Sequence, residues 1–187
     1  CENSIGGNAY RNGDIINYGE MRAFLEREAG FTFMSDNDGE LMGRLIAYHH
    51  VVRGIPIEDA IAKTMGELKG AFATLLILRD RMFAFRDPHG IRPMVMGHLS
   101  FEGSGEPPSE GTVFASEACG FGIVGAQSLR EVAPGEILRL ERGKPVETVR
   151  QLAEVPRHCV FELIYFSRPD SDTFGERVWE VRRRIGA

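Results

Sequence analysis

Helix-forming and strand-forming segments of this chain fall in blocks and do not alternate, and that order limits its fold more than any other feature. A doubly wound parallel sheet needs regular strand–helix–strand repetition, and none is present. The early part reads as helices between short strands. A polar opening ends in Asn8-Ala9-Tyr10-Arg11-Asn12-Gly13-Asp14, where Asn-Gly is a turn signal because both residue types tolerate positive φ. A helix is expected over 18–28, with Met21, Phe24 and Leu25 near one face and Gly30 as its stop. Phe31-Thr32-Phe33-Met34 reads as a short strand, and Asp36-Asn37-Asp38-Gly39 as a turn rich in helix-capping residues. Helices over 40–52 and 57–68 follow, separated by Gly54-Ile55-Pro56, and Glu58 and Asp59 suit the positive end of the second.

The later part is strand-rich. The apolar run over 71–78 fits a strand buried on both faces. Further strands are expected over 82–85, 94–97, 113–115, 137–140 and 158–166, with an exposed loop over 100–111 and hairpin turns at 133–136 and 142–144. A basic helix over 175–185 closes the chain. Pattern alone therefore gives an α+β fold of antiparallel sheets with helices packed outside.

A length of 187 residues supports one domain with a core that needs no disulfide staples. The net charge of -5 leaves no excess of Lys and Arg for phosphate neutralisation, so nucleic acid is not an expected partner. No apolar run is long enough to span a bilayer and no signal peptide is visible, so no membrane partner is expected either. Cys1, Cys119 and Cys159 are too few and too scattered for a disulfide framework or a zinc site, and a reducing cytoplasm is the simplest setting.

Local motifs carry the reading further. Arg86-Asp87-Pro88-His89-Gly90-Ile91-Arg92-Pro93 resembles the R-D-P-x-G-x-R-P segment of amidophosphoribosyltransferases. Phe161-Glu162-Leu163-Ile164-Tyr165-Phe166-Ser167-Arg168-Pro169-Asp170-Ser171 is similar to that family's F-E-x-x-Y-F-A-R-P-D-S segment, with Ser167 in place of Ala. Val132-Ala133-Pro134-Gly135-Glu136-Ile137 resembles its P-G-E-I turn, and Ala115-Ser116-Glu117-Ala118-Cys119 its A-S-E-S/T-C stretch. All occur in the family's order. Arg11-Asn12-Gly13-Asp14-Ile15-Ile16-Asn17 resembles the H-N-G-N-L-x-N motif of class II glutamine amidotransferases, from which Arg11 and Asp14 depart. Asn37-Asp38-Gly39-Glu40-Leu41 resembles the S-D-T/S-E segment, with Gly39 replacing the hydroxyl residue.

The resemblance implies a four-layer αββα N-terminal-nucleophile hydrolase fold, two stacked antiparallel sheets between helices, incomplete at its N-terminus. It implies one glutaminase domain over 1–187, with the phosphoribosyltransferase domain absent from this chain. It also implies glutamine as substrate, no cofactor in this chain, and a homo-oligomeric complete enzyme whose second domain uses the ammonia to make 5-phosphoribosylamine for purine synthesis. Amide hydrolysis by a thiol needs a nucleophile, a proton carrier and an oxyanion stabiliser. In such enzymes an N-terminal cysteine is its own base, through an α-amine that titrates near neutrality.

On that pattern Cys1 is the nucleophile, and Asn12 (side-chain amide) with Gly13 (backbone N–H) forms the oxyanion hole. Asp38 binds the α-ammonium of glutamine. Each has an alternative. Asn12-Gly13 is also a plain hairpin turn, and Asp38 also a helix cap, with Asp36 competing for its role. Glu2-Asn3 resembles the E-N-A-Q-P region just upstream of the N-G turn, which places Cys1 mid-domain. No R-x-x-T-x-G loop is found to hold the glutamine carboxylate. Arg86, Asp87 and Arg92 are read as a structural set bracing a Pro-containing loop. Tyr165 and Arg168 stand either at an ammonia path, by resemblance, or in core packing and an exposed ion pair. A catalytically inactive fragment or relative, binding glutamine or a partner without turnover, is the competing function. Asn12-Gly13-Asp14 also resembles asparagine and glutamate synthases, a reading that the 86–93 and 161–171 segments oppose.

Overall fold

A computed structural model describes residues 8–101, 109–153 and 155–187. In chain order its elements are β1 (Asn8–Ile15), α1 (Tyr18–Ala29), α2 (Asp38–Ala47), a π-helical turn (Tyr48–Val52), α3 (Ile57–Glu67), β2 (Gly70–Ile77), β3 (Arg81–Arg86), β4 (Val95–Phe101) and β5 (Ser109–Ala115). There follow α4 (Cys119–Val124), β6 (Gln127–Glu131), β7 (Glu136–Glu141), β8 (Glu147–Gln151), a second π-helical turn (Glu162–Phe166), β9 (Asp172–Thr173), β10 (Glu176–Arg177) and α5 (Val178–Ile185). The α+β class with antiparallel sheets is the one observed. Among the described residues no helix is long and apolar enough to cross a membrane.

The chain divides into two compact units. The first takes the described residues up to Gly90 together with Pro134–Pro156. Its five-stranded antiparallel sheet has the order β1-β2-β3-β7-β8. One face carries Phe72, Leu76, Phe83, Phe85 and Ile137, buried with Leu25 of α1, Leu41, Leu45 and Ile46 of α2, and Ile61 and Met65 of α3. Each such side chain contributes about 1.5–3 kcal/mol on burial. Gly30 (φ +63) closes α1 in the left-handed conformation, and its N–H donates to Leu25 O.

The second unit comprises Ile91–Ala133 and Arg157–Ala187. Its three-stranded antiparallel sheet has the order β5-β4-β6, with a register shift at Met96/Gly97. Gly97 is required there, because a Cβ would stand 2.8 Å from the Phe121 ring of α4.

The family-like motifs join in pairs as braces. In the first unit Asp87 receives the Phe72 N–H (3.2 Å) and the His89 N–H (2.9 Å), while Arg86 Nη2 donates to Gly90 O (2.8 Å). The N–H of Gly135 donates to the carbonyls of Arg86 (3.2 Å) and Asp87 (3.0 Å), tying the Pro134-Gly135-Glu136 turn to that loop. In the second unit Glu117 Oε2 accepts from the Arg168 N–H (2.6 Å) and the Ser171 hydroxyl (2.8 Å). Arg92 pairs with Glu162 (2.7 Å) and lies over the Phe166 ring. Arg86 and Asp87 thus brace the loop, and Arg92 also ties it to the 161–171 segment.

Glu162 is only 4% exposed, so Arg92→Ala leaves a buried carboxylate without its cation. A loss of about 3 kcal/mol is expected in urea denaturation, and a smaller one for the double variant Arg92→Ala/Glu162→Leu, which removes both charges.

Some local expectations change. Residues 31–34 form no strand, because their amides are taken elsewhere: Phe31 N–H by Leu25 O, Met34 N–H by Glu40. The segment 158–166 is not a strand but ends in a π-helical turn, in which Ser167 N–H donates to Glu162 O (2.9 Å) and Arg182 donates to Leu163 O and Ser167 O. Tyr165 is 78% exposed, which removes core packing as its role, and Arg168 makes the exposed ion pair with Asp170. The expected helix over 40–52 is α2 plus the first π-helical turn, and the strands β4 and β5 run into the expected loop, whose centre lies outside the described residues.

Candidate functional site

Asn12 and Gly13 lie within a strand and form no hairpin turn. β1 pairs along its whole length with β2, Asn12 opposite Ala73 and Gly13 opposite Phe72. The strand alternates as a half-buried strand should. Arg11, Gly13 and Ile15 are drawn in, whereas Tyr10, Asn12 and Asp14 are exposed. Gly13 adopts φ +132, and a Cβ there would stand 1.9 Å from Ala71 O. Gly70, in the same ladder, has φ +140, and its Cβ would stand 2.1 Å from Asp14 O. Two glycines therefore let the strands approach where any side chain would collide. Gly70 carries no mark in the sequence beyond its place before an apolar run.

Asp38 is the first residue of α2, and Asn37 is the cap: its side chain accepts from the Gly39 N–H at 2.7 Å. Asp38 is free of that duty and turns to β1. Its Oδ2 accepts from Arg11 Nη2 (2.6 Å) and from the Ile15 N–H (2.9 Å); neither bond engages Oδ1. Asp36 pairs with Arg22 of α1 instead and is largely exposed. Of the two aspartates, Asp38 is the one brought against the strand that carries Asn12 and Gly13. Arg11, noted in the sequence only as a departure from the motif, is the residue that pattern reading missed. Cys1 lies outside the described residues.

The N-terminus of α2, and with it Asp38, is fixed by Glu40. Its carboxylate accepts from the N–H groups of Met34 (3.0 Å) and Ser35 (2.9 Å), from the Ser35 hydroxyl (2.8 Å) and from Arg44 (3.0 Å). Burial pushes the Glu40 carboxyl up, but the Met34 N–H, the Ser35 hydroxyl, Arg44 and the Ser35 N–H outweigh it and bring the group down to about 2 from 4.5. A depressed folded-state value means stability present above pH 4.5 and lost as the pH falls toward 2. Glu40→Gln is expected to lower stability at neutral pH by on the order of 2 kcal/mol. The difference between parent and variant should close between pH 4.5 and 2, as read by urea denaturation at stepped pH.

At this corner an exposed carboxamide (Asn12) neighbours Gly13 on a strand that also holds the Asp38 carboxylate through Arg11 and Ile15.

Residues 7–120 match the family described as glutamine amidotransferase domain. The chain is 38% identical to amidophosphoribosyltransferase 2, chloroplastic, of Arabidopsis thaliana, over 94% of this chain and 29% of that protein. It is 37% identical to the amidophosphoribosyltransferase of Methanothermobacter thermautotrophicus, over 94% of this chain and 35% of that protein. Among solved structures, the glutamine phosphoribosylpyrophosphate amidotransferase of B. subtilis, complexed with ADP and GMP, aligns with TM-score 0.81 at 32% identity. That alignment covers 96% of this chain and 37% of the other. The chain thus spans about a third of the length of the relatives it matches.

Proposed function

The chain belongs to the glutamine amidotransferase domain family, in its amidophosphoribosyltransferase form, and on that footing we propose that it binds glutamine and hydrolyses the side-chain amide to glutamate and ammonia. The observation that carries the reading is Asp38 held against the strand bearing Asn12 and Gly13, with Gly13 at φ +132.

In this reading the Cys1 thiolate attacks the amide carbon and its α-amine takes up the thiol proton. The Asn12 carboxamide and the Gly13 N–H donate to the oxyanion, and Asp38 Oδ1 faces the substrate's α-ammonium. Collapse of the tetrahedral intermediate breaks the C–N bond as the amine returns the proton. Ammonia leaves, and water hydrolyses the thioester to glutamate and free thiol. The ammonia passes to a phosphoribosyltransferase domain of the complete enzyme, which makes 5-phosphoribosylamine in purine synthesis. A cytoplasmic setting fits the free thiols of Cys119 and Cys159. Homo-oligomeric assembly of the complete enzyme rests on family resemblance alone.

The test is release of ammonia and glutamate from L-glutamine by the full chain, with peptide mapping after treatment with a diazoketone analogue of glutamine. One adduct, on Cys1 and not on Cys119 or Cys159, is expected. A folded full-length form that turns over no glutamine sinks the hydrolytic reading. The second reading is a glutamine-binding module without turnover. The pairing of Arg11 with Asp38 favours it, because a cation already occupies the carboxylate that would hold the ammonium. Binding of glutamine with no ammonia release decides for it.

A further inference from the structure

We infer that Arg11 determines the specificity of this site: by pairing with Asp38 it cancels the charge that selects an α-ammonium, so that amides of dicarboxylic acids lacking the amine bind about as well as glutamine. The inference rests on the reading that Asp38 lies in the amide-substrate site.

Arg11 Nη2 stands 2.6 Å from Asp38 Oδ2, and each side chain is only 13% exposed, so solvent screens the pair weakly. An ammonium approaching Oδ1 is attracted by one unit charge and repelled by another lying one hydrogen bond beyond it. The two interactions oppose each other with comparable size, and the net preference for a cation falls.

Arg11 works through Asp38 and not by touching the ligand. Its Nε and Nη1 are buried without a hydrogen-bond partner among the described residues, so the rest of the guanidinium is sealed inside the first unit. Asp38 is also held by the Ile15 N–H on the same oxygen, so its carboxylate keeps its station whether or not Arg11 is present. Arg11 is therefore a positioning residue whose charge is the functional quantity. This gives a role to the motif departure at Arg11, which the hydrolytic reading leaves unused.

The experiment is calorimetric binding of L-glutamine and of glutaramate, which is glutamine without its α-amine, to the full chain and to its Arg11→Gln and Arg11→Lys variants. The parent is expected to bind the two compounds with affinities within about fivefold. Arg11→Gln is expected to shift the ratio toward glutamine by about tenfold or more, and Arg11→Lys, which keeps the charge, to stay near the parent. A parent that already prefers glutamine by about a hundredfold overturns the inference, as does an unchanged ratio in Arg11→Gln or absence of binding throughout. Ammonia release measured in parallel reports on hydrolysis separately: a shifted ratio without turnover keeps this inference and removes only the catalytic reading. Arg11→Lys returning to the parent ratio also separates a charge effect from loss of folding.

Discussion

Gly13→Ala is expected to destabilise the protein by more than about 4 kcal/mol, an effect in the range reserved for backbone or core disruption. The added Cβ would lie 1.9 Å from Ala71 O and 2.6 Å from Ala71 C, and both are backbone atoms that no rotamer change can move. The residue would also have to hold φ +132, a region that side chains other than glycine's rarely enter. Relief requires β1 to separate from β2, which removes the edge strand of the five-stranded sheet and uncovers the buried Ile15 and Phe72. Urea denaturation followed by circular dichroism measures the loss. Gly43→Ala is the control: this residue lies within α2 with no atom near the added Cβ, so a change from neutral to a gain of about 1 kcal/mol is expected. Equal behaviour of the two variants would mean that β1 is not laddered to β2 at Gly13.

Asn12→Ala is expected to lower kcat for glutamine hydrolysis by about a hundred- to a thousandfold, the usual result of losing one oxyanion donor. The expectation separates a catalytic role from a structural one. Asn12 lies on the exposed side of β1, so stability should change far less than for Gly13→Ala. KM should move little, as for any donor that acts only on charge developing in the transition state. Steady-state ammonia release together with urea denaturation checks both halves. A kcat within about threefold of the parent would remove Asn12 from the oxyanion hole.

Much of the first unit was legible because its signals are local and agree with one another. The apolar spacing around Leu25, the break at Gly54-Ile55-Pro56 and the continuous run within β2 each point to one element. β1 was not legible, because Asn-Gly prefers a turn in isolation and the strand exists through pairing with residues some sixty positions onward, Phe72 and Ala73. The segment 158–166 misled for a related reason. Its aromatic and β-branched residues suggest a strand, but Glu162 is drawn to Arg92 and Arg182 reaches the carbonyls of Leu163 and Ser167, and these contacts wind it into a turn. At the site, the motif pointed to Asp38, and the structure distinguishes it from Asp36 by their partners, β1 for one and Arg22 for the other. Arg11 could be flagged in sequence only as an unexpected residue, since a salt bridge between positions 27 apart leaves no periodic trace.

Glutamine is expected to bind where β1 meets the start of α2. Titration of isotopically labelled full chain with L-glutamine, followed by amide and side-chain carboxamide resonances, tests it most directly. Shifts are expected to concentrate at the Gly13 and Ile15 amides, the Asn12 carboxamide and the first turn of α2 around Asp38, with the second unit's resonances around Cys119 and Glu162 unmoved. Saturable shifts that centre on the second unit and leave Gly13 and Asp38 untouched would contradict it.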